Sequence, residues 1–122
     1  MDELIARLVA NVGVDRAAAD KAVGIILDFL SKEGPPDKVQ PLIDKLPGAQ
    51  ALIQSQQASD TGGGMFGMGG LMGAGTKMMA AGLSMGQVQG VTKEVIAYTR
   101  EKAGEDAVGE IVGAIPGLSQ FV

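Results

Sequence analysis

The sequence contains no cysteine, no histidine and no tryptophan, and only one of its 122 residues is a tyrosine. Without cysteine and histidine there can be no disulfides, thiol nucleophiles, imidazole general bases or ordinary zinc and iron sites. Catalysis would have to use carboxylates, lysine, hydroxyls or Tyr98, and the scattered carboxylates form no constellation with a nucleophile. We therefore expect a protein that is not an enzyme and that holds no cofactor and no metal.

Basic side chains are also in the minority. Ten lysines and arginines stand against fourteen acidic residues, so the net charge is −4. This balance favours solubility and opposes binding to phosphate backbones or anionic lipid. The acidic N-terminus lacks the basic start and apolar stretch of a secretory signal, which predicts a cytoplasmic protein, although an exported chain with its signal removed would read the same.

The first half of the sequence has the periodicity of amphipathic helices separated by clear stops. A first helix, predicted from one apolar stripe, ends at Gly13. A second helix is predicted from 16 to 33, and a third starts near Asp37 and ends at Pro47-Gly48. Asp15 is the predicted N-cap of the second helix. Its predicted buried face consists of Ala19, Ala22, Val23, Ile26, Phe29 and Leu30. Residues 49–57 could add one short helix.

A shift of 69 residues aligns the second half with the first without gaps. Gly13 then aligns with Gly82, and Pro47-Gly48 aligns with Pro116-Gly117. Ser84, which aligns with Asp15, forms a predicted capping box with Gln87. The paired stops at one offset indicate an internal repeat. We therefore predict an all-α fold of about six helices, built as two similar three-helix units, 1–57 and 70–122, that pack as one domain.

A glycine- and methionine-rich linker, 58–69, is predicted between the two units, with a helix following over about 70–81. A membrane span is disfavoured because the apolar stretch is rich in glycine and contains Lys77. The spacing of Met65, Met68 and Met72 also suits a soft metal ion, but no cysteine or histidine is present to assist. The glycines match neither the dinucleotide fingerprint nor the phosphate-binding loop.

The remaining interpretation of this segment is a contact surface. Met68, Met72 and Met79 form a candidate interaction face, because methionine fits irregular apolar surfaces. The same side chains are equally suited to the internal core, and burial is the more common state. We expect Met72 and Met79 to be mostly buried, against the first half or a second copy.

The sequence also predicts one surface ion pair and the environment of the single tyrosine. Asp28 and Lys32 are spaced as an ordinary surface ion pair on a helix. Tyr98 aligns with Phe29 at the offset of 69, which predicts a half-buried ring with a structural role.

The whole chain resembles a bacterial family of VcgC/VcgE-like proteins of unknown function. The resemblance rests on Leu46-Pro47-Gly48, the glycine-rich stretch 62–75, Gly82-Leu83-Ser84, and Tyr98 followed by Lys102. It implies no activity and no functional residues. Members of that family often look exported, and this chain has no signal of that kind.

The first third also resembles the opening helical hairpin of histone-like DNA-bending proteins, through Asp2 to Ala6, Gly13-Val14-Asp15 and Ala19 to Val23. In that family the hairpin forms a dimer core and basic β-ribbon arms hold the DNA. No ribbon or basic arm follows Gly34 here, so the resemblance implies self-association without DNA binding.

The sequence therefore predicts a non-enzymatic helical module that forms a homo-oligomer or binds a protein partner, with no nucleic acid partner and no membrane span. The alternative is a nucleoid-associated or helix-turn-helix DNA-binding protein. The predicted helix 16–33 argues against that alternative, because its three basic and three acidic side chains leave no net basic face.

Overall fold

The computed structural model describes residues 2–46, 48–59 and 70–115. Over these ranges the chain is helical, with no β-strand. The seven helices of these ranges are α1 (Asp2–Asn11), α2 (Arg16–Glu33), α3 (Pro36–Asp44), α4 (Ala49–Ser59), α5 (Gly70–Ala80), α6 (Met85–Ala103) and α7 (Glu105–Ala114). The prediction of an all-α protein is confirmed.

The helix count is one above the predicted value of about six because the optional short helix after Pro47 is a full element, α4. It continues to Ser59, so the predicted linker, 58–69, begins inside this helix. Residues 60–69 lie outside the described part of the chain. Pro41 was expected in or next to the first turn of α3, but Pro36 holds that position and Pro41 lies deeper in the helix. A proline there leaves one carbonyl of the preceding turn without its helical amide.

Helix α2 is the central element and contacts α1, α3, α4, α5 and α6. Its predicted buried face is confirmed, but burial extends around the whole helix over 22–30, including Ile25 and Asp28. Periodicity predicts one apolar stripe, whereas the helices packed around α2 remove further residues from solvent. Asp28 and Lys32 do form an ion pair, with 3.1 Å between Asp28 Oδ2 and Lys32 Nζ. The expectation that the pair lies on the surface was wrong, because Asp28 is only 3% exposed.

Local sequence signals explain the ends of the long helices. Gly13 and Gly82 adopt φ of +84° and +106°, conformations that other residues rarely reach, and each ends a turn before a long helix. Ser84 accepts a hydrogen bond from the Gln87 amide at 3.3 Å, and the Ser84 amide donates to Gln87 Oε1 at 2.9 Å. The predicted capping box is therefore confirmed. Asp15 occupies the equivalent cap position before α2 without a side-chain cap hydrogen bond.

Glycines within α7 provide a test of helix propensity that is independent of packing. A Cβ added at Gly109 would meet nothing within 4 Å, so Gly109→Ala should stabilise the protein by about 0.5–1 kcal/mol. Gly104→Ala is the matched control, because Gly104 has open space but a φ of +95° that alanine tolerates poorly. Thermal unfolding should show opposite shifts for the two variants. If Gly109→Ala lowered the melting temperature, the space around Gly109 would not be open as the structure shows.

Candidate interaction surface

Helix α5 buries one of its two consecutive methionines and exposes the other. Met78 is 0% exposed, whereas Met79 is 48% exposed, so the expectation that Met79 is mostly buried was wrong. Gly75 and Ala81, three residues to either side of Met78, are half-buried and continue the inward stripe. Met79 lies about 100° further around the helix. The burial of Met72 and the placement of Met68 lie outside the described side chains.

The α5–α6 corner, defined here as residues 76–89, presents a second exposed methionine that the sequence analysis did not single out. Met85 is the first residue of α6 and is 61% exposed, the highest value among the large apolar side chains that the structure describes. Between the two methionines, Leu83 is only 4% exposed and anchors the turn in the core.

The α5–α6 corner is almost free of charge. Lys77 is its one ionisable side chain and is half-buried, and its exposed residues are small, polar or methionine. Added Cβ atoms at Gly82 and Gly86 would meet nothing within 4 Å, which shows open space beside both backbones. Charged residues are generally depleted at the cores of protein interfaces, where methionine is enriched.

The α5–α6 corner lies beside the turn between α1 and α2. Gln87 Nε2 donates a hydrogen bond to the Gly13 carbonyl oxygen at 3.3 Å. One turn further along α6, a Cβ added at Gly90 would lie 3.2 Å from Val12 Cγ2, so α1 and α6 approach closely there. These two contacts hold the first turn of α6 against the end of α1 and give the corner a fixed position.

Charged side chains concentrate instead along the contact between α1 and α6. Arg7 donates a hydrogen bond to Glu101 at 2.7 Å and lies 3.6 Å from Glu94, and the bond to Glu101 raises the pKa of Arg7. The Tyr98 ring has Arg7 Cζ at 5.9 Å and Lys102 Nζ at 5.4 Å from its centroid, within the range of cation–π attraction. Tyr98 is 3% exposed, so the expectation of a half-buried ring was wrong. Arg7 of α1 lies over the ring.

The described residues contain no cluster of three or more acidic side chains that could hold a metal ion. Within the same ranges, none of the helices combines the length and the apolar character needed to cross a membrane. Comparison with protein-family models, with curated proteins and with solved structures finds no match.

Proposed function

We propose that the protein is a non-enzymatic helical interaction module that self-associates or binds a protein partner. The observation that carries this proposal is the exposure of Met79 and Met85 on the α5–α6 corner, where Lys77 is the one ionisable side chain. Methionine side chains are flexible and polarisable, and they adapt to apolar partner surfaces. The large apolar side chains that the structure describes are otherwise mostly buried, which makes these two unusual.

We also propose that the chain is a duplicated unit whose two halves pack about an approximate two-fold axis. The starts of α2 and α6 are 69 residues apart, and so are the starts of α3 and α7. The contacts are reciprocal: α1 packs on α2 and α6, and α5 packs on α6 and α2. Self-complementary packing of this kind is typical of homodimers. The predicted boundaries, 1–57, 58–69 and 70–122, remain part of this proposal.

The departure from this symmetry lies in the first helix of each half. At the offset of 69, Leu8 aligns with Lys77 and Val9 aligns with Met78. Leu8 is fully buried and Val9 is 40% exposed, whereas Met78 is fully buried. The inward stripe of α5 therefore includes a position that faces solvent in α1.

The alternative, a helix-turn-helix DNA-binding protein, lacks an available recognition helix in α2. A recognition helix must present side chains to the major groove. Helix α2 is buried on all sides over residues 22–30, so this stretch presents no side chains to a groove. This burial adds to the charge balance of the helix as an argument against DNA as the partner.

We expect no tight binding to duplex DNA at about 150 mM salt, because a chain of net charge −4 releases few counterions from phosphates. A gel-shift titration with duplexes of mixed sequence is the measurement. The same titration at about 10 mM salt controls for weak electrostatic contacts that salt removes. A complex that persists at the higher salt would support the DNA-binding alternative.

The interaction proposal itself is tested with the intact chain. Labelled protein is followed by fluorescence-detected sedimentation, first purified over a range of concentrations and then in lysate of the native cell. The proposal predicts faster sedimentation with rising concentration or in lysate. Sedimentation as a monomer under both conditions would contradict it.

A further inference from the structure

We infer that Met79 and Met85 form a reversible oxidation site, at which a peroxide converts two exposed thioethers to sulfoxides while the fold stays intact. Both side chains lie on the α5–α6 corner, and they are 48% and 61% exposed. This chemistry requires no bound partner. It therefore goes beyond the proposed function and holds or fails independently of it.

The sequence leaves a peroxide few targets other than methionine. Cysteine and methionine sulfur are the groups that such oxidants convert stepwise to oxygenated products, and the chain has no cysteine. It also has no histidine and no tryptophan, and its one tyrosine, Tyr98, is 3% exposed. Seven methionines remain, so an oxidant that meets the folded protein reacts with methionine sulfur.

Exposure separates the methionine side chains that the structure describes into two classes. Met78 is 0% exposed, so a peroxide reaches its sulfur only when α5 opens locally. Met79, the next residue of the same helix, and Met85, the first residue of α6, are in contact with water in the native state. Oxidation of the folded chain should therefore modify Met79 and Met85 and leave Met78 intact.

The reaction at each exposed sulfur is an oxygen transfer. With hydrogen peroxide, a lone pair of the thioether attacks one oxygen, an S–O bond forms and the O–O bond breaks. The proton of the transferred hydroxyl passes to the departing hydroxide, which leaves as water. Sulfur loses two electrons and the peroxide gains them. Methionine sulfoxide reductases reverse the change, one enzyme for each sulfoxide epimer.

The position of the two methionines determines what the sulfoxide does to the protein. Oxidation replaces an apolar group by a polar one that accepts hydrogen bonds. At Met79 and Met85 water supplies those bonds, so the fold loses no buried contact. At Met78 the same oxygen would be buried away from water, which is unfavourable. Oxidation thus changes the α5–α6 corner from apolar to polar without unfolding the chain.

A time course of the intact chain in millimolar hydrogen peroxide tests this inference. Samples are quenched and digested, and tandem mass spectrometry distinguishes Met78 from its neighbour Met79. Sulfoxide should form at Met79 and Met85 at least about tenfold faster than at Met78. Protein isolated with sulfoxides at these two positions should retain its circular dichroism spectrum. Treatment with both classes of methionine sulfoxide reductase should restore the original mass.

Two leucine variants show where the change in polarity arises. Met79→Leu/Met85→Leu keeps side chains of similar volume but removes both exposed sulfurs, whereas the matched control Met78→Leu removes the buried one. In hydrophobic interaction chromatography, peroxide should advance the elution of the wild type and of Met78→Leu clearly more than that of the double variant.

An equal advance in all three proteins would assign the effect to other methionines and overturn the inference. Three further results would do the same: oxidation of Met78 as fast as Met79, unfolding of the chain that carries the two sulfoxides, or sulfoxides that the reductases leave in place. None of these measurements involves association with a partner. The sedimentation test of the proposed function is therefore decided separately.

Discussion

Met78→Ala is expected to lower the free energy of unfolding by about 2–5 kcal/mol, because it empties a site whose side chain is 0% exposed. The loss includes both the transfer of the apolar side chain and the cavity that remains. For a chain of this length, each kcal/mol corresponds to roughly 3–6 °C in the melting temperature. Thermal unfolding followed by circular dichroism should therefore show the melting temperature lowered by about 6–30 °C.

The neighbouring residue provides the matched control for this prediction. Met79 lies on the same helix and is 48% exposed, so Met79→Ala should change stability by no more than about 0.5 kcal/mol. Met79→Lys should be tolerated equally well, since a lysine there reaches solvent. Equal losses for Met78→Ala and Met79→Ala would show that α5 does not have the observed rotation about its axis.

The contrast between these methionines illustrates what the sequence could and could not predict. The bounds of α2 follow from Asp15 at one end and Gly34-Pro35 at the other, and they match the predicted 16–33. For α5, the existence of a helix over about 70–81 was predictable, but its rotation was not. Met78 and Met79 are adjacent, and the remaining residues of the helix are mostly glycine and alanine, so no periodic apolar stripe fixes the phase.

The periodicity of a helix sequence also does not predict which residues a neighbouring helix will bury. Asp28 lies at a position of α2 that its sequence marks as polar, yet it is 3% exposed because several helices pack around α2. The same reasoning applies to Tyr98, whose ring lies within about 6 Å of the charged groups of Arg7 and Lys102. In both cases the sequence gives the local periodicity, while tertiary contacts determine which faces are covered.

The candidate surface was partly predictable. Met79 was singled out from its segment, but as a core residue, and Met85 was overlooked because it belongs to the next helix. Only the geometry of the turn brings the two residues to one corner. Spacing within a single helix cannot reveal a surface that two helices share, whereas the scarcity of charge over 76–89 is visible in the sequence and marks the region.

Gly34 is the site at which an added side chain should be tolerated least. It follows α2 and its amide donates to the Leu30 carbonyl oxygen at 2.8 Å. A Cβ built there would lie 2.7 Å from that same oxygen, 2.8 Å from Val39 Cγ2 and 3.4 Å from Ile111 Cγ2. Val39 and Ile111 are each 1% exposed, so neither can move into solvent. The junction of α2, α3 and α7 therefore has no space for a side chain.

We expect Gly34→Val to cost about 3 kcal/mol or more, and Gly34→Ala less, because overpacking forces shifts in both backbone and side chains. Backbone strain contributes little, since φ of Gly34 is −84° and is accessible to any residue. Urea unfolding of the two variants measures the loss. Gly34→Val combined with Val39→Ala, which removes the methyl group at 2.8 Å, should recover part of the stability beyond the sum of the single changes. Strict additivity in this cycle would show that the contact between Gly34 and Val39 is not the source of the loss.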